Sequence, residues 1–441
     1  MKYLNKSQSK KNFKLILNIA IPMIIANLSI PLLGLIDTAI VGRINIEQIG
    51  SVAIGSTILS FIYFCFGFFR MGTTGLTAQA WGQNNLKKIE NIFIQNFVLA
   101  IIISALLILI LFFLKDIILL LFTNNDLITL HTKQYLTIRI FETPARFINF
   151  IIIGLLLGCN KPWQTFKLII LVNSINIVLD IYLGIFLNLQ IKGIALGTLI
   201  SEYICLIYGF SIIKKEFPNF TFYKKQLNIK INNYKTIFYS NLNLFIRTAL
   251  ILISIVMFTA IGSRLGQLTL AANAILISIQ MFISYGLDGF AQAAEVLVGN
   301  NYKKSKKYNL INVILITGII SFLSATIISI ILLLYGAYLI TFISPINEVI
   351  NETNKYILWI ALSPLVSFLS FHLDGVFIGA NLSKIMRNSV IISFIIYLIC
   401  LYIFIPTYNN NGLWLAFMTF MLFRGILLLI NIKKVLNIKK L

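Results

Sequence analysis

Twelve stretches of about twenty mostly apolar residues follow one another along these 441 residues, with short polar turns between them. About twenty such residues are what an α-helix needs to cross the hydrocarbon of a bilayer. Hydrocarbon offers no partner to an unpaired backbone group, so segments of this kind cross it as helices. The stretches begin near Lys14, Glu47, Ile89, Asp126, Trp163 and Lys192, and again near Tyr234, Leu268, Lys306, Asn347, Lys384 and Asn411. The apolar share is 59% and the charged share 11%, against roughly 45–50% and about 25% in a soluble domain. The fold class expected is therefore all-α integral membrane protein with twelve transmembrane helices.

The placement of the 36 lysines and arginines tests that count, because short cytoplasmic loops collect basic residues and external ones do not. With the N-terminus inside, every second loop is basic: Lys2 to Lys14, Lys87 and Lys88, Lys161 and Lys167, Lys214 to Lys235, Lys303 to Lys307, Lys384 and Arg387, and Lys433 to Lys440. The intervening loops hold only Arg43, Lys115, Lys133, Lys192 and Arg264. Both termini are thus expected in the cytoplasm, in a multi-pass protein of the plasma (cell inner) membrane. The formal charge of +22 is then a positive-inside bias facing anionic membrane lipids rather than a sign of nucleic acid. The basic N-terminus lacks a small-residue cleavage pattern and has Pro22 within its apolar run, so it is read as a retained first helix. Cys65, Cys159, Cys205 and Cys400 sit in apolar runs at unrelated spacings and read as packing residues.

The chain is also written twice. Ala39-Ile40-Val41-Gly42 is answered by Thr259-Ala260-Ile261-Gly262, and the segment Gly72 to Asn84 by Gly289 to Asn301. Pro144, Gly154, Gly158 and Asn160 are answered by Pro364, Gly375, Gly379 and Asn381, and Gly193 by Gly412. Four landmarks in order at a near-constant shift indicate a duplication. Six spans return the chain to its starting side, so the halves run parallel, related by a pseudo-two-fold axis along the membrane normal. The expected division is an N-lobe at 1–213, a cytoplasmic linker at 214–233 and a C-lobe at 234–441.

Carboxylates inside such helices are conspicuous, since an Asp at a helix centre in hydrocarbon costs about 2.5–3.5 kcal/mol and usually marks an ion or substrate path. Asp37 lies deep in the first run and Asp180 in the fifth. Asn173, Asn176 and Asp180 are spaced three and four, on one helix face, and Thr198 and Glu202 are four apart in the sixth run. Two carboxylates with an Asn amide and a Thr hydroxyl make an all-oxygen pocket suited to Na+ or to a proton shared between carboxyls. At the repeat's shift Asp37 falls on Met257 and Asp180 on Ile399 or Cys400, so these acids belong to one copy. Pro22 precedes Asp37 in the same helix, where a missing backbone hydrogen bond allows bending. The second copy holds Asp288 and Glu295 in its second run, and His372 with Asp374 in its fourth. Glu295, near the cytoplasmic end, reads as a gate or a partner of Lys303, and Asp288, Asp374, Glu202 and Asn173 as secondary polar positions. Arg139, Glu142 and Arg146 read as a charge ladder on a helix surface, and Arg70, Arg247 and Arg424 find no partner by spacing. Two histidines are too few for a metal centre; no metal beyond Na+ and no cofactor is expected.

Twelve helices in two parallel lobes, the Pro22 to Asp37 spacing, the Asn176, Asp180, Thr198 set and the segment Asp288-Gly289-Phe290-Ala291-Gln292-Ala293-Ala294-Glu295 resemble the multidrug and toxic compound extrusion (MATE) transporters, in their DinF-like branch. The resemblance covers essentially the whole chain. It implies a V-shaped, monomeric antiporter that exports small organic compounds, often cationic, against inward flow of H+ or Na+. It also implies a cation site in the N-lobe at Asp37, Asn176, Asp180 and Thr198, with Pro22 in the bending first helix. A sister branch places cation-binding acids in the C-lobe, where Met257 is no acid and Asp374 alone could serve. Two other readings compete. A lipid-linked precursor flippase of the same superfamily would line its cavity with basic residues. A polytopic membrane enzyme would need a catalytic pair near an interface, and neither His131 nor His372 has a carboxylate at the spacing an acyltransferase uses.

Overall fold

The computed structural model describes residues 6–41, 46–120, 125–218, 220, 231–302 and 307–436; among them the chain is helix joined by short turns, with no strand. The first copy supplies α1 (Lys6–Val41), α2 (Ile46–Cys65), α3 (Phe68–Gly82), α4 (Leu86–Leu120), α5 (Asp126–Arg139), α6 (Thr143–Gly158), α7 (Pro162–Leu179) and α8 (Gln190–Glu216). The second supplies α9 (Ile231–Arg264), α10 (Gln267–Tyr302), α11 (Lys307–Ile343), α12 (Asn347–Asn354), α13 (Ile357–Gly379), α14 (Ser383–Ile430) and α15 (Ile432–Leu436).

Eleven helical stretches among the described residues are long and apolar enough to cross a membrane. One of them, Ser383–Leu436, has 54 residues, more than twice the length that about 30 Å of hydrocarbon requires. It breaks at Asn409, whose φ of 48° and ψ of −124° lie outside the helical region. It therefore makes two crossings, and the twelve apolar runs correspond to twelve. α2 and α3 share one crossing, as do α5 and α6, which meet through a 3₁₀ turn at Ile140–Glu142.

The duplication is visible in backbone detail. Helix α6 ends with Asn160 at φ 62° and α13 ends with Asn381 at φ 56°, the left-handed position that closes a helix. In the first copy Lys161 N donates to Leu156 O at 2.9 Å, and in the second Leu382 N donates to Phe377 O at 3.0 Å. Asn188 and Asn409, the turns before the last crossing of each copy, share φ values of 52° and 48°. Just beyond them Gly193 and Gly412 each press on a carbonyl, those of Leu183 and Phe404; a Cβ there would stand 2.5 and 2.2 Å from the oxygen. Gly154 and Gly158 let α6 lie against α3, and Gly375 and Gly379 let α13 lie against α10 in the same way. Lipid gives helices no hydrophobic reason to associate, so close backbone approach at small residues does that work.

The helices form two compact units, Leu28–Tyr239 and Met1–Asn27 with Ser240–Leu441. One division thus falls inside α1, between Asn27 and Leu28, and the other between Tyr239 and Ser240. α1 is continuous through Pro22 and Pro31. Its first part packs within the second unit: Asn12 Nδ2 donates to Asn312 Oδ1 at 2.8 Å, and Gly289 of α10 lies against Ile24 and the Ala20 carbonyl. The core of that unit is aromatic, with Trp414 and Phe417 edge-on or tilted against Phe258 at 4.9 and 5.3 Å.

Candidate functional site

In the unit Leu28–Tyr239, α7 ends in a wider turn. Asp180–Phe186 is π-helical, with Leu187 N reaching back five residues to Tyr182 O at 2.9 Å; single π turns inside α-helices recur at functional sites. Helix α8 runs against this turn on a face with two glycines four residues apart, Gly193 and Gly197. Gly193 meets the Leu183 carbonyl, and a Cβ on Gly197 would stand 2.2 Å from Asp180 Oδ1. The carboxylate thus occupies the space that Gly197 leaves. Sequence reading missed Gly197; its one signal was a small residue beside the polar Thr198.

Three of the expected site residues meet here. Asp180, Asn176 and Thr198 are 0%, 1% and 7% exposed. Asn176 Nδ2 reaches Asp180 Oδ1 and Oδ2 at 3.2 and 3.3 Å and Thr198 Oγ1 at 3.0 Å. The Thr198 hydroxyl donates to the Ile194 carbonyl at 3.2 Å, so it accepts from Asn176. Asn176 Oδ1 is buried with no hydrogen-bond partner, an arrangement that ordinarily costs about 1–3 kcal/mol. Two carboxylate oxygens and a hydroxyl, joined by the amide oxygen once the Asn176 amide turns over, form a donor set that fits a hard cation; as the amide stands, the set fits a proton on the carboxylate.

The other expected residues are distributed differently. Asp37 lies in helical backbone of α1, but its side chain is outside the described residues. Asn173 is half-buried and turns from Asp180 to Ser29, its Nδ2 donating to Ser29 Oγ at 2.7 Å. Glu202, on the same helix as Thr198, joins a different cluster. Its carboxylate accepts from Asn149 Nδ2 at 2.8 Å and pairs with Arg146 at 3.2 Å. Arg146 also meets Glu142 at 3.3 Å, and Arg139 holds Glu142 through two bonds of 2.5 and 2.8 Å. Arg139, Glu142 and Glu202 are buried, so the expected surface ladder is an interior network of balanced charge. The 3₁₀ turn at Ile140–Glu142 sets its geometry.

In the second unit Asp288 accepts from Gln292 Nε2 at 2.7 Å and from Asn27 Nδ2 at 3.5 Å, so it links the middle of α1 to α10. Pro22 is buried in that part of α1. Glu295 is 1% exposed, one helix turn before Gly299, and its backbone carbonyl receives Gly379; Lys303 lies outside the described residues. Asp374 faces two partners that spacing could not reveal, Arg247 and Arg424. His372 turns elsewhere, toward Gly318 and the Ile314 carbonyl. Among the described residues no group of three or more His, Cys, Asp or Glu could hold a metal ion.

The MatE family profile matches this chain twice, at residues 22–182 and 244–403. DNA damage-inducible protein F of Escherichia coli (strain K12) is 32% identical over 415 residues, which cover 94% of this chain and 90% of that protein. Protein DETOXIFICATION 44, chloroplastic, of Arabidopsis thaliana is 23% identical over 93% of this chain and 80% of its own length. Among solved structures, a MATE transporter of Vibrio cholerae, VcmN, superposes with a TM-score of 0.89 at 15% identity over 99% of both chains.

Proposed function

The chain belongs to the MATE family of transporters, and from that premise we propose that it is an antiporter driven by H+ or Na+ which exports organic, cationic or amphiphilic compounds by alternating access. As a family member of the multidrug-efflux type it is a multi-pass membrane transporter and not an enzyme. The coupling ion is taken up at Asn176, Asp180 and Thr198, with Asp37 as the second carboxylate, in the N-lobe. The chain works as a monomer in the cell inner membrane with both termini in the cytoplasm, and needs no cofactor beyond the coupling ion.

The observation that carries this reading is the buried Asn176, Asp180, Thr198 set with an amide oxygen left unfilled. An ionised Asp180 at helix depth in hydrocarbon is unfavourable by several kcal/mol unless something offsets it. A bound cation or proton offsets it, so occupancy of the site changes the free energy of the unit that holds it. Export is coupled when the ion and the compound favour different states of the transporter, which requires differential affinity and nothing more. Asp180 opens the π turn, so a change in its charge acts directly on the least regular stretch of its crossing.

The test is efflux of a fluorescent organic cation from proteoliposomes under a Na+ gradient and, separately, a pH gradient. Asp180→Asn and Asp37→Asn are expected to abolish driven efflux, and Asn176→Leu to weaken the dependence on the ion. Wild-type rates in both aspartate variants under both gradients would overturn the assignment. Lipid-linked substrate carried in the same vesicles, with no cation efflux, would favour the flippase. A single cysteine at position 355 that labels only from outside the cell supports the proposed topology.

A further inference from the structure

In the second unit one carboxylate faces two guanidinium groups. Arg247 on α9 and Arg424 on the last crossing of α14 both donate to Oδ2 of Asp374 on α13, Arg424 at 2.9 Å. The three residues are 5%, 3% and 6% exposed. The ionisable groups that face Arg424 are Asp374 and Arg247, so the contact carries one positive charge in excess. Nε of Arg247 and Nε of Arg424 are both buried with no hydrogen-bond partner. Two further neighbours of Arg424 are neutral: its Nη1 lies 3.1 Å from Met421 Sδ, and its guanidinium lies 5.6 Å from the Phe420 ring centroid.

An excess buried charge with orphaned donors is costly in a protein interior and more so at membrane depth. Guanidinium groups present planar N–H donors that match an oxyanion. The nearest carboxylate, Asp374, uses a single oxygen for both arginines and leaves their Nε atoms unserved. Histidine supplies no alternative, since His372 faces Gly318 from the same helix. At the repeat's shift of 219–220 residues Arg247 falls on Asn27 and Arg424 on Cys205, so neither arginine has a counterpart at the matching position of the first copy.

We propose that Arg247, Arg424 and Asp374 form a binding site in the second unit for a singly charged anionic group. That group is the carboxylate or sulfonate of an amphiphilic compound, or a free halide. Asp374 acts there as a competitor: it holds the arginines in place and is weakened as a partner when the ligand arrives. The transporter would then accept anionic or zwitterionic compounds as well as cations. The inference does not rest on the ion coupling proposed for Asp180.

Calorimetric titration of the purified full-length protein in halide-free buffer tests it, with sodium benzoate, with sodium chloride and with benzylammonium as a size-matched cation. Saturable binding of benzoate is expected, weakened at least about tenfold in Arg424→Gln and in Arg247→Gln, as loss of a charged hydrogen bond implies. Asp374→Asn, which removes the competing carboxylate, is expected to tighten benzoate; a merely structural Asp374 would weaken or abolish it. If chloride alone binds with the same dependence on the variants, the ligand is a free halide; if benzoate alone does, it is an organic anion. Arg424→Lys and Asp374→Asn decide the question where the glutamine variants do not fold. Absence of saturable anion binding to the wild type, or binding that these substitutions leave unchanged, or benzylammonium competing for the same site, would overturn the proposal.

Discussion

Asp180 Oδ1 sits where the side chain of residue 197 would begin: a Cβ on Gly197 would approach it to 2.2 Å, and the Asp180 backbone nitrogen to 3.1 Å. The carboxylate is thereby held between two helices, with Asn176 one turn behind it and Thr198 next along α8. Its position is set by the absence of an atom as much as by the groups that bond to it.

Gly197→Ala is therefore expected to impair ion coupling more than it impairs folding. The added methyl must displace either Asp180 or the whole of α8, and overpacking of this kind costs about 1–3 kcal/mol. Gly193, one turn away, already presses α8 on the Leu183 carbonyl, so α8 has little freedom to retreat and the carboxylate moves. The check is paired: the melting temperature of the purified variant in detergent, expected to fall by a few degrees, and driven efflux in proteoliposomes, expected to be lost. Efflux at the wild-type rate would refute the steric argument.

The twelve crossings were legible because bilayer thickness imposes a length on each run, and the duplication because glycines and asparagines at turns have no substitutes that adopt the same backbone. The Asn176–Asp180 pair was legible for a similar reason, since four residues make one helix turn. Thr198 and Glu202 show where that reasoning stops. The spacing is the same, but it fixes only the helix face and not the partner, and Arg146 and Asn149 take Glu202 away from the Thr198 pocket. Arg247 and Arg424 lie 127 and 50 residues from Asp374, and no local period links them. Asn173 likewise bonds to Ser29, 144 residues away in sequence, a partner that no helical spacing reveals.

The interior network of α5, α6 and α8 predicts strong coupling between Arg146 and Glu202. Arg146 Nη1 lies 3.2 Å from Glu202 Oε1 and 3.3 Å from Glu142 Oε1, and both carboxylates are buried. Removing one partner leaves the other charge uncompensated, which is the expensive event, while removing both is far cheaper. Arg146→Gln and Glu202→Gln are each expected to lower stability, and the double variant to lower it by less than the two together. A double-mutant cycle on thermal unfolding should give a coupling of about 1–3 kcal/mol; additivity would mean that the two residues do not interact.

Asn409 breaks α14 with φ 48° and ψ −124°, a conformation that glycine adopts freely and a side chain does not. Such strain is of order 1–3 kcal/mol, more than the roughly 0.5–1 kcal/mol that glycine loses in chain entropy. Asn409→Gly is thus expected to hold or raise the melting temperature, and Asn409→Val to lower it by several degrees. Asn188, the equivalent turn of the first copy, has nearly the same φ and should respond to the same pair of substitutions in the same direction. Opposite signs at the two positions would count against their equivalence.

Glu352 makes acid sensitivity local to one turn. Its Oε2 accepts from Lys355 Nζ at 2.7 Å, and its Oε1 from the Tyr356 hydroxyl at 3.1 Å and Thr269 Oγ1 at 3.4 Å, tying α12 to the start of α10. The Lys355 ammonium, joined by Tyr356 and Thr269, holds this carboxyl below the usual glutamate range despite its burial. A carboxyl depressed in the folded state adds stability that is complete above its unfolded pKa and disappears as the pH falls through the folded value. Glu352→Gln is therefore expected to melt below the wild type at neutral pH, and the gap between them to close as the pH is lowered past the ordinary glutamate value and then past the depressed one. Melting curves of the two proteins in detergent across that range measure it, and a gap that stays constant with pH would show that ionisation of Glu352 contributes nothing to this contact.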